Sequence, residues 1–146
     1  LALGCDGALM GTRFLATQES DFPPLWKQAV VDATDRGTLV ARGYVGPARW
    51  LRNPRSEEHA VNTLKKSPGV FLGTPDSYTT MEDTSLIDYE NESIRAVYEG
   101  NKEKAMMAGG EVAQRITDMP KVEDMVRNIM KEAEEILASL PKKFLR

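Results

Sequence analysis

The chain has 146 residues, 41% of them hydrophobic and 28% charged, the balance of about one globular domain and not of a disordered chain. A net charge of −3 supplies no basic field for a phosphate backbone, which argues against a nucleic-acid partner. The one cysteine excludes an internal disulfide framework and fits a reducing, cytoplasmic setting. No apolar run approaches the ~20 residues that a membrane-spanning helix needs, so no membrane role is expected.

Leu1 to Asp6 lacks a basic region followed by an apolar one, so it does not read as a signal peptide. Residues 1–7 read as the end of a helix and a turn, which suggests that sequence precedes Leu1. Ala8-Leu9-Met10, between Gly7 and Gly11, reads as a short strand buried on both faces, opening into a loop at residues 12–17. Asp21 is a plausible N-cap, with Pro23-Pro24 in the first turn; Leu25, Trp26, Ala29, Val30 and Ala33 then keep helical spacing until Gly37. Residues 38–42 look like a strand, and residues 43–47 like a turn.

Residues 48–53 read as a short basic helical turn stopped by Pro54, followed by a helix over about residues 56–66 that Ser67-Pro68-Gly69 breaks. Residues 70–90 have weak periodicity and read mainly as loop. A helix is expected over residues 92–108, with Gly100 as a weak point, then a shorter segment over residues 111–116. The last helix is the clearest element. Val122, Met125, Val126, Ile129, Met130, Ala133, Ile136, Leu137 and Leu140 form one apolar stripe between Pro120 and Pro141. A stripe this long needs a large partner surface.

Chemistry concentrates at residues 6–14. A buried strand ending in Gly11-Thr12 would place unhindered backbone N–H groups at its carboxyl end. Gly11 has no Cβ to keep an anion away, and Thr12 adds a hydroxyl donor. In parallel-stranded barrels the loops after the last two strands form the usual phosphate site. On spacing alone, a tight strand exit with no ligand explains the same residues.

The stretch LALGCDGALMGTRFLAT, residues 1–17, resembles the final barrel strand of the nitronate monooxygenase family, formerly 2-nitropropane dioxygenases. The likeness continues in YVGPARWLRN, residues 44–53, and resumes at Gly110-Glu111-Val112-Ala113 and at Ile116-Thr117-Asp118-Met119-Pro120. The resemblance implies an α/β fold: the C-terminal part of a TIM (β/α)8 barrel, its last strand and last helix, with a mostly helical inserted domain. A complete barrel takes about 250 residues, so this chain is expected to be a fragment. The implied division is residues 1–20 as last strand and phosphate turn, 21–115 as substrate-side insertion, and 116–146 as final barrel helix and tail. Alone, such a fragment should expose its apolar stripe and aggregate or be molten.

Carried over residue by residue, the resemblance implies that Met10, Gly11 and Thr12 bind the phosphate of flavin mononucleotide (FMN), with Arg13 contributing charge. A structural ion pair is the competing explanation for Arg13. Glu111 stands where relatives have a glutamine near the active site, and a helix-start carboxylate explains it as simply. The implied activity is oxidation of alkyl nitronates with dioxygen. The related FMN-dependent enoyl-acyl carrier protein reductase is the alternative, and a non-catalytic helical interaction module is a third possibility.

The family's catalytic histidine lies upstream of the matched segments, so no catalytic residue is assigned. The single histidine, His59, reads as a surface residue on a polar helix. No Cys, His and carboxylate cluster has metal-ligand spacing. Cys5 reads as a small buried residue, and Met106, Met107, Met119, Met125 and Met130 as core fill. Arg49 and Arg52 fit ion pairs or an anionic ligand; Tyr44 and Trp50 fit packing or an apolar pocket wall.

Overall fold

A hairpin joins the two halves of the molecule. Strands β1 (Thr38–Gly43) and β2 (Gly46–Leu51) run antiparallel, with Thr38 opposite Leu51 and Gly43 opposite Gly46. The computed structural model describes residues 4–44, 46–73 and 84–144, with side chains described up to residue 140. Gly46 has φ 135°, a conformation that a residue with a Cβ rarely adopts. β1 follows the expected strand. The expected helical turn over residues 48–53 is instead β2. Ala, Arg, Trp and Leu tolerate a helix, but cross-strand pairing supplies partners that a single helical turn lacks.

Period-two alternation divides β2 between two cores. Trp50 packs on one side with Ala41 and Met106. Leu51 packs on the other with Leu15, Trp26, Val30, Val97 and Met107. The segment after Met106 adds to the free edge of β2. Leu51 N–H donates to Met107 O at 2.8 Å, and Gly109 N–H donates to Arg49 O at 3.1 Å. A Cβ on Gly109 would lie 2.6 Å from Leu51 Cδ2, so only glycine lets this strap lie flat on the strand.

The helices are α1 (Thr12–Leu15), α2 (Pro24–Val31), α3 (Pro54–Lys66), α4 (Gly69–Leu72), α5 (Ser85–Tyr98) and α6 (Val122–Phe144), with a 3₁₀ turn at Glu111–Arg115. No strand forms at residues 8–10, contrary to the sequence reading. Leu9 is 100% exposed, because an isolated strand has no sheet to satisfy its backbone or cover its side chains. The backbone instead turns at Gly11 directly into α1.

Asp21 does not cap α2. The cap position is Pro23, with no side-chain hydrogen bond, and the helix stops at Val31, short of Gly37. α3 starts at Pro54, which does not stop a helix here but opens one. Asn53 and Ser56 form a reciprocal capping box, and proline suits the first turn.

The loop expected over residues 70–90 contains the end of α4 and the start of α5, while residues 74–83 lie outside the described set, as do residues 1–3 of the expected helix end. α5 begins seven residues before the expected Glu92 and ends at Tyr98, where Gly100 takes φ 72°, a common left-handed helix terminator. Residues 101–110 are therefore non-helical. α6 continues through Pro141 to Phe144, although Pro141 was expected to end it; one proline removes one backbone hydrogen bond without closing the last turn.

Along α6, Met125 is buried, whereas Val126, Met130, Ile136 and Leu137 are exposed. The expectation of an uncovered stripe therefore holds among the described residues. Among them too, no helix is long and apolar enough to cross a membrane.

Candidate cofactor site

Gly11 precedes the first turn of α1, whose leading N–H groups have no carbonyl within the helix to bond. It is exposed, and no heavy atom lies within 4 Å of where a Cβ would stand. Thr12 Oγ1 accepts a hydrogen bond from Gly110 N–H at 2.9 Å, which leaves the hydroxyl proton to donate elsewhere. A Cβ on Gly110 would crowd that oxygen at 3.2 Å. Met10 is half-buried and helps line a cavity of about 380 Å³ with Gly11, Phe14, Phe22 and Val122. On the other side of Gly11 and Thr12, a cavity of about 490 Å³ is bounded by Trp26, Arg49 and Gly109.

Met10, Gly11 and Thr12 thus converge on one open corner. Its donors are a hydroxyl and unpaired first-turn amides, a set that suits a phosphate. Arg13 turns toward the start of the last helix. Its Nη1 lies 2.8 Å from Asp118 Oδ1, the ion pair that competed with a ligand role. The strap carrying Gly110 is fixed independently, because Trp26 Nε1 donates to Ala108 O at 2.8 Å.

Other singled-out residues have internal partners. Arg49 pairs with Glu111 at 3.4 Å, and Arg52 with Glu57 at 2.9 Å. Trp50 is core, and its Nε1 donates to Arg42 O at 3.0 Å. Tyr44 is exposed and donates to Asn91 Oδ1 at 2.7 Å. Met106, Met107 and Met125 fill the core, as expected, but Met130 is exposed. Cys5 is exposed rather than buried, since the strand that would have covered it does not form.

His59 is not a surface residue. It is fully buried, stacked on Tyr89 with ring centroids 5.5 Å apart. Its Nε2 lies 2.9 Å from Arg42 O and 3.2 Å from Glu90 Oε1, so this nitrogen is the donor. Glu90 Oε1 also accepts from Arg42 Nη1 at 2.7 Å, and both side chains are excluded from solvent. Sequence reasoning missed this centre, and no local signal reveals it. Its members come from β1, α3 and α5, and Arg42 and Glu90 lie 48 residues apart.

Beside it, Tyr89 donates to Glu58 Oε2 at 2.7 Å while the Arg55 guanidinium lies 3.5 Å above its ring. Partial burial, and then the bond to Glu58, push the Tyr89 hydroxyl well above its usual range. Among the described residues no group of three metal-ligating side chains gathers.

The family profile for nitronate monooxygenase matches residues 1–132. The chain belongs to the nitronate monooxygenase family. It is 28% identical over 138 residues to a protein named "Probable nitronate monooxygenase" from Staphylococcus aureus, covering 94% of this chain and 35% of that protein. A Mycobacterium tuberculosis protein, named a dehydrogenase of a hydroxy-methyl-oxo-octahydroindene carboxyl-CoA, is 23% identical over 158 residues, covering 91% of this chain and 44% of its own.

Among solved structures, FabK from Thermotoga maritima superposes with a TM-score of 0.76 at 30% identity, over 98% of this chain and 42% of FabK. FabK is a TIM-barrel enzyme, and the match is consistent with part of such a barrel. The chain spans about a third of the length of the Staphylococcus aureus relative.

Proposed function

We propose that this chain forms the phosphate-holding part of an FMN-dependent enzyme that oxidises alkyl nitronates with dioxygen. The observation that carries this reading is the Gly11–Thr12 corner. The Thr12 oxygen is occupied by Gly110 N–H, so its proton is left to donate, beside a glycine that nothing crowds. Backbone N–H groups of Gly11 and Thr12, with Met10 at the edge, would hold the phosphate. Arg13 is paired with the largely exposed Asp118, and what that pair leaves of its positive potential would favour the phosphate without contact.

When bound, FMN would supply the electron transfer between nitronate and dioxygen. The residues of this chain bind and orient, and the Phe22 and Trp26 rings, in edge contact at 4.8 Å, would keep water from the cavity beside the turn. No proton-transfer role falls to His59, whose Nε2 is committed to Arg42 O and Glu90. In this reading residues 1–20 carry the phosphate turn, 21–115 the substrate side and 116–146 the last barrel helix. The remaining walls come from the barrel portion that the longer relatives carry.

The test uses protein that includes that barrel portion. It should retain FMN through purification and take up oxygen with an alkyl nitronate, and Gly11→Val should lose the flavin. Retention of flavin undiminished in Gly11→Val would overturn the assignment. A second reading, enoyl-acyl carrier protein reduction, is supported by the superposition on FabK over 98% of the chain. Consumption of NADH with an enoyl thioester, in place of oxygen uptake with a nitronate, would select it.

A further inference from the structure

The cavity of about 490 Å³ beside Thr12 has an apolar wall of Leu15, Phe22, Trp26 and Ala108, and one cation at its edge, Arg49. This volume lies within the range of small-molecule sites, and apolar walls with one convergent charge suit an amphipathic ligand. Arg49 shares its face of β2 with Leu51, which packs against Leu15 and Trp26, so the side chain stands on the cavity side of the hairpin.

Two contacts hold the guanidinium. Arg49 Nη1 donates to Thr38 Oγ1 at 3.0 Å, a neutral partner that fixes the side chain without cancelling its charge. Glu111 Oε1 lies 3.4 Å away, but that side chain is 73% exposed. An ion pair this open is weakly held, and a ligand oxyanion can replace it.

We propose that Arg49 is the anion-recognising residue of this cavity. It binds the two-oxygen head of an organic anion whose apolar part lies against Phe22 and Trp26, and Glu111 is the internal competitor that the ligand displaces. This rests on reading the cavity as the substrate side of a flavin site. A nitronate and a carboxylate present the same planar pair of oxygens to a guanidinium, whereas a neutral nitroalkane or amide offers no charge. Arg49 therefore selects the anionic form of the substrate, and Glu111 sets how strongly.

The test is titration of the full chain with octanoate and with its neutral counterpart octanamide, followed by tryptophan fluorescence and calorimetry. Octanoate should bind more tightly by about tenfold or more, the scale of a charge-assisted bond against a neutral one. Arg49→Met should bring the two affinities together. Glu111→Gln should tighten octanoate several-fold and leave octanamide unchanged. Because Glu111 is exposed, this second variant keeps the test decisive even where Arg49→Met does not fold. Equal affinities for the two probes, no binding of either, or a preference that survives Arg49→Met overturns the proposal. FMN retention, measured in parallel on protein with the barrel portion, separates the two readings. Loss of flavin binding with the octanoate preference intact removes the flavin assignment alone, and the reverse removes the role of Arg49 alone.

Discussion

Glu90 and His59 meet inside the protein with no access to water: Glu90 Oε1 lies 3.2 Å from His59 Nε2 and accepts from Arg42 at the same time. A carboxylate in such a place is tolerable only because a full positive charge and a ring N–H reach it. Removing the carboxylate takes a buried counter-charge away from Arg42 and a hydrogen-bond acceptor away from His59. Glu90→Ala should therefore lower the unfolding free energy by about 3–5 kcal/mol, read from urea denaturation. A loss below about 1 kcal/mol would show that Glu90 is not the partner on which the buried arginine depends.

Alkaline pH should weaken the same region. The Tyr89 hydroxyl is raised by partial burial and then by its bond to Glu58. A raised folded-state value means that folded protein holds this proton after the unfolded chain has released it. Its stabilising contribution is complete below about pH 10, the ordinary tyrosine range, and is lost as pH rises through the folded value. Denaturation curves of wild type should fall more steeply above about pH 10 than those of Tyr89→Phe. Parallel curves would refute the linkage.

Acid pH acts on a different group. Glu92 is lowered, first by its hydrogen bond from Lys104 and then by that from Arg55. Its contribution is present above the ordinary carboxylate range and is lost as pH falls through the folded value. The carboxylate is exposed, so added salt should erase the effect. Nuclear magnetic resonance titration of Glu92 in wild type and in Lys104→Met checks the shift directly.

Gly109→Ala introduces a methyl 2.6 Å from Leu51 Cδ2 and 2.9 Å from Cγ, in a strap already bonded to Arg49 O. Overpacking of this kind costs about 1–3 kcal/mol. Gly110→Ala crowds Thr12 Oγ1 at 3.2 Å and makes an ordinary contact with Val112 Cγ1 at 3.8 Å, so it should disturb the phosphate corner more than global stability. Melting temperature and FMN affinity, measured on both variants, should rank them in opposite orders.

The exposed Met130, Ile136 and Leu137 give this chain an apolar surface that dye binding should detect. Met130→Lys with Ile136→Glu should reduce dye binding and aggregation together, with little change in melting behaviour. An unmodified chain that binds no dye and stays monomeric would contradict the picture.

Sequence reasoning reached the elements whose signals are local. The periodicity of residues 122–140 is continuous, and α6 is there. The β1 run also holds its expected place. What it missed depends on partners far away in the chain. β2 exists because β1 stands opposite it, and its residues carry no strong strand preference of their own. The run at residues 8–10 looks like a strand and lacks a neighbour to be one with. Gly100 was visible as a weakness inside a helix, but only the left-handed backbone shows it as the end of that helix.

The candidate corner at Gly11-Thr12 was legible because glycine and threonine advertise an approachable backbone. The closing strap was not, because its hydrogen bond spans 98 residues. His59 looked solvated for the same reason. Nothing near it in sequence announces Glu90.

The last helix is fastened at one end. Arg13 grips Asp118, Gln18 N–H donates to Pro120 O and Glu19 accepts from Val122 N–H, while past Met125 no described side chain is buried. With 23 residues it reaches about 35 Å as a cantilever. Deuterium uptake should therefore climb steadily from its root to its tip. A protease would cut the helix beyond Met125 before it cuts the hairpin.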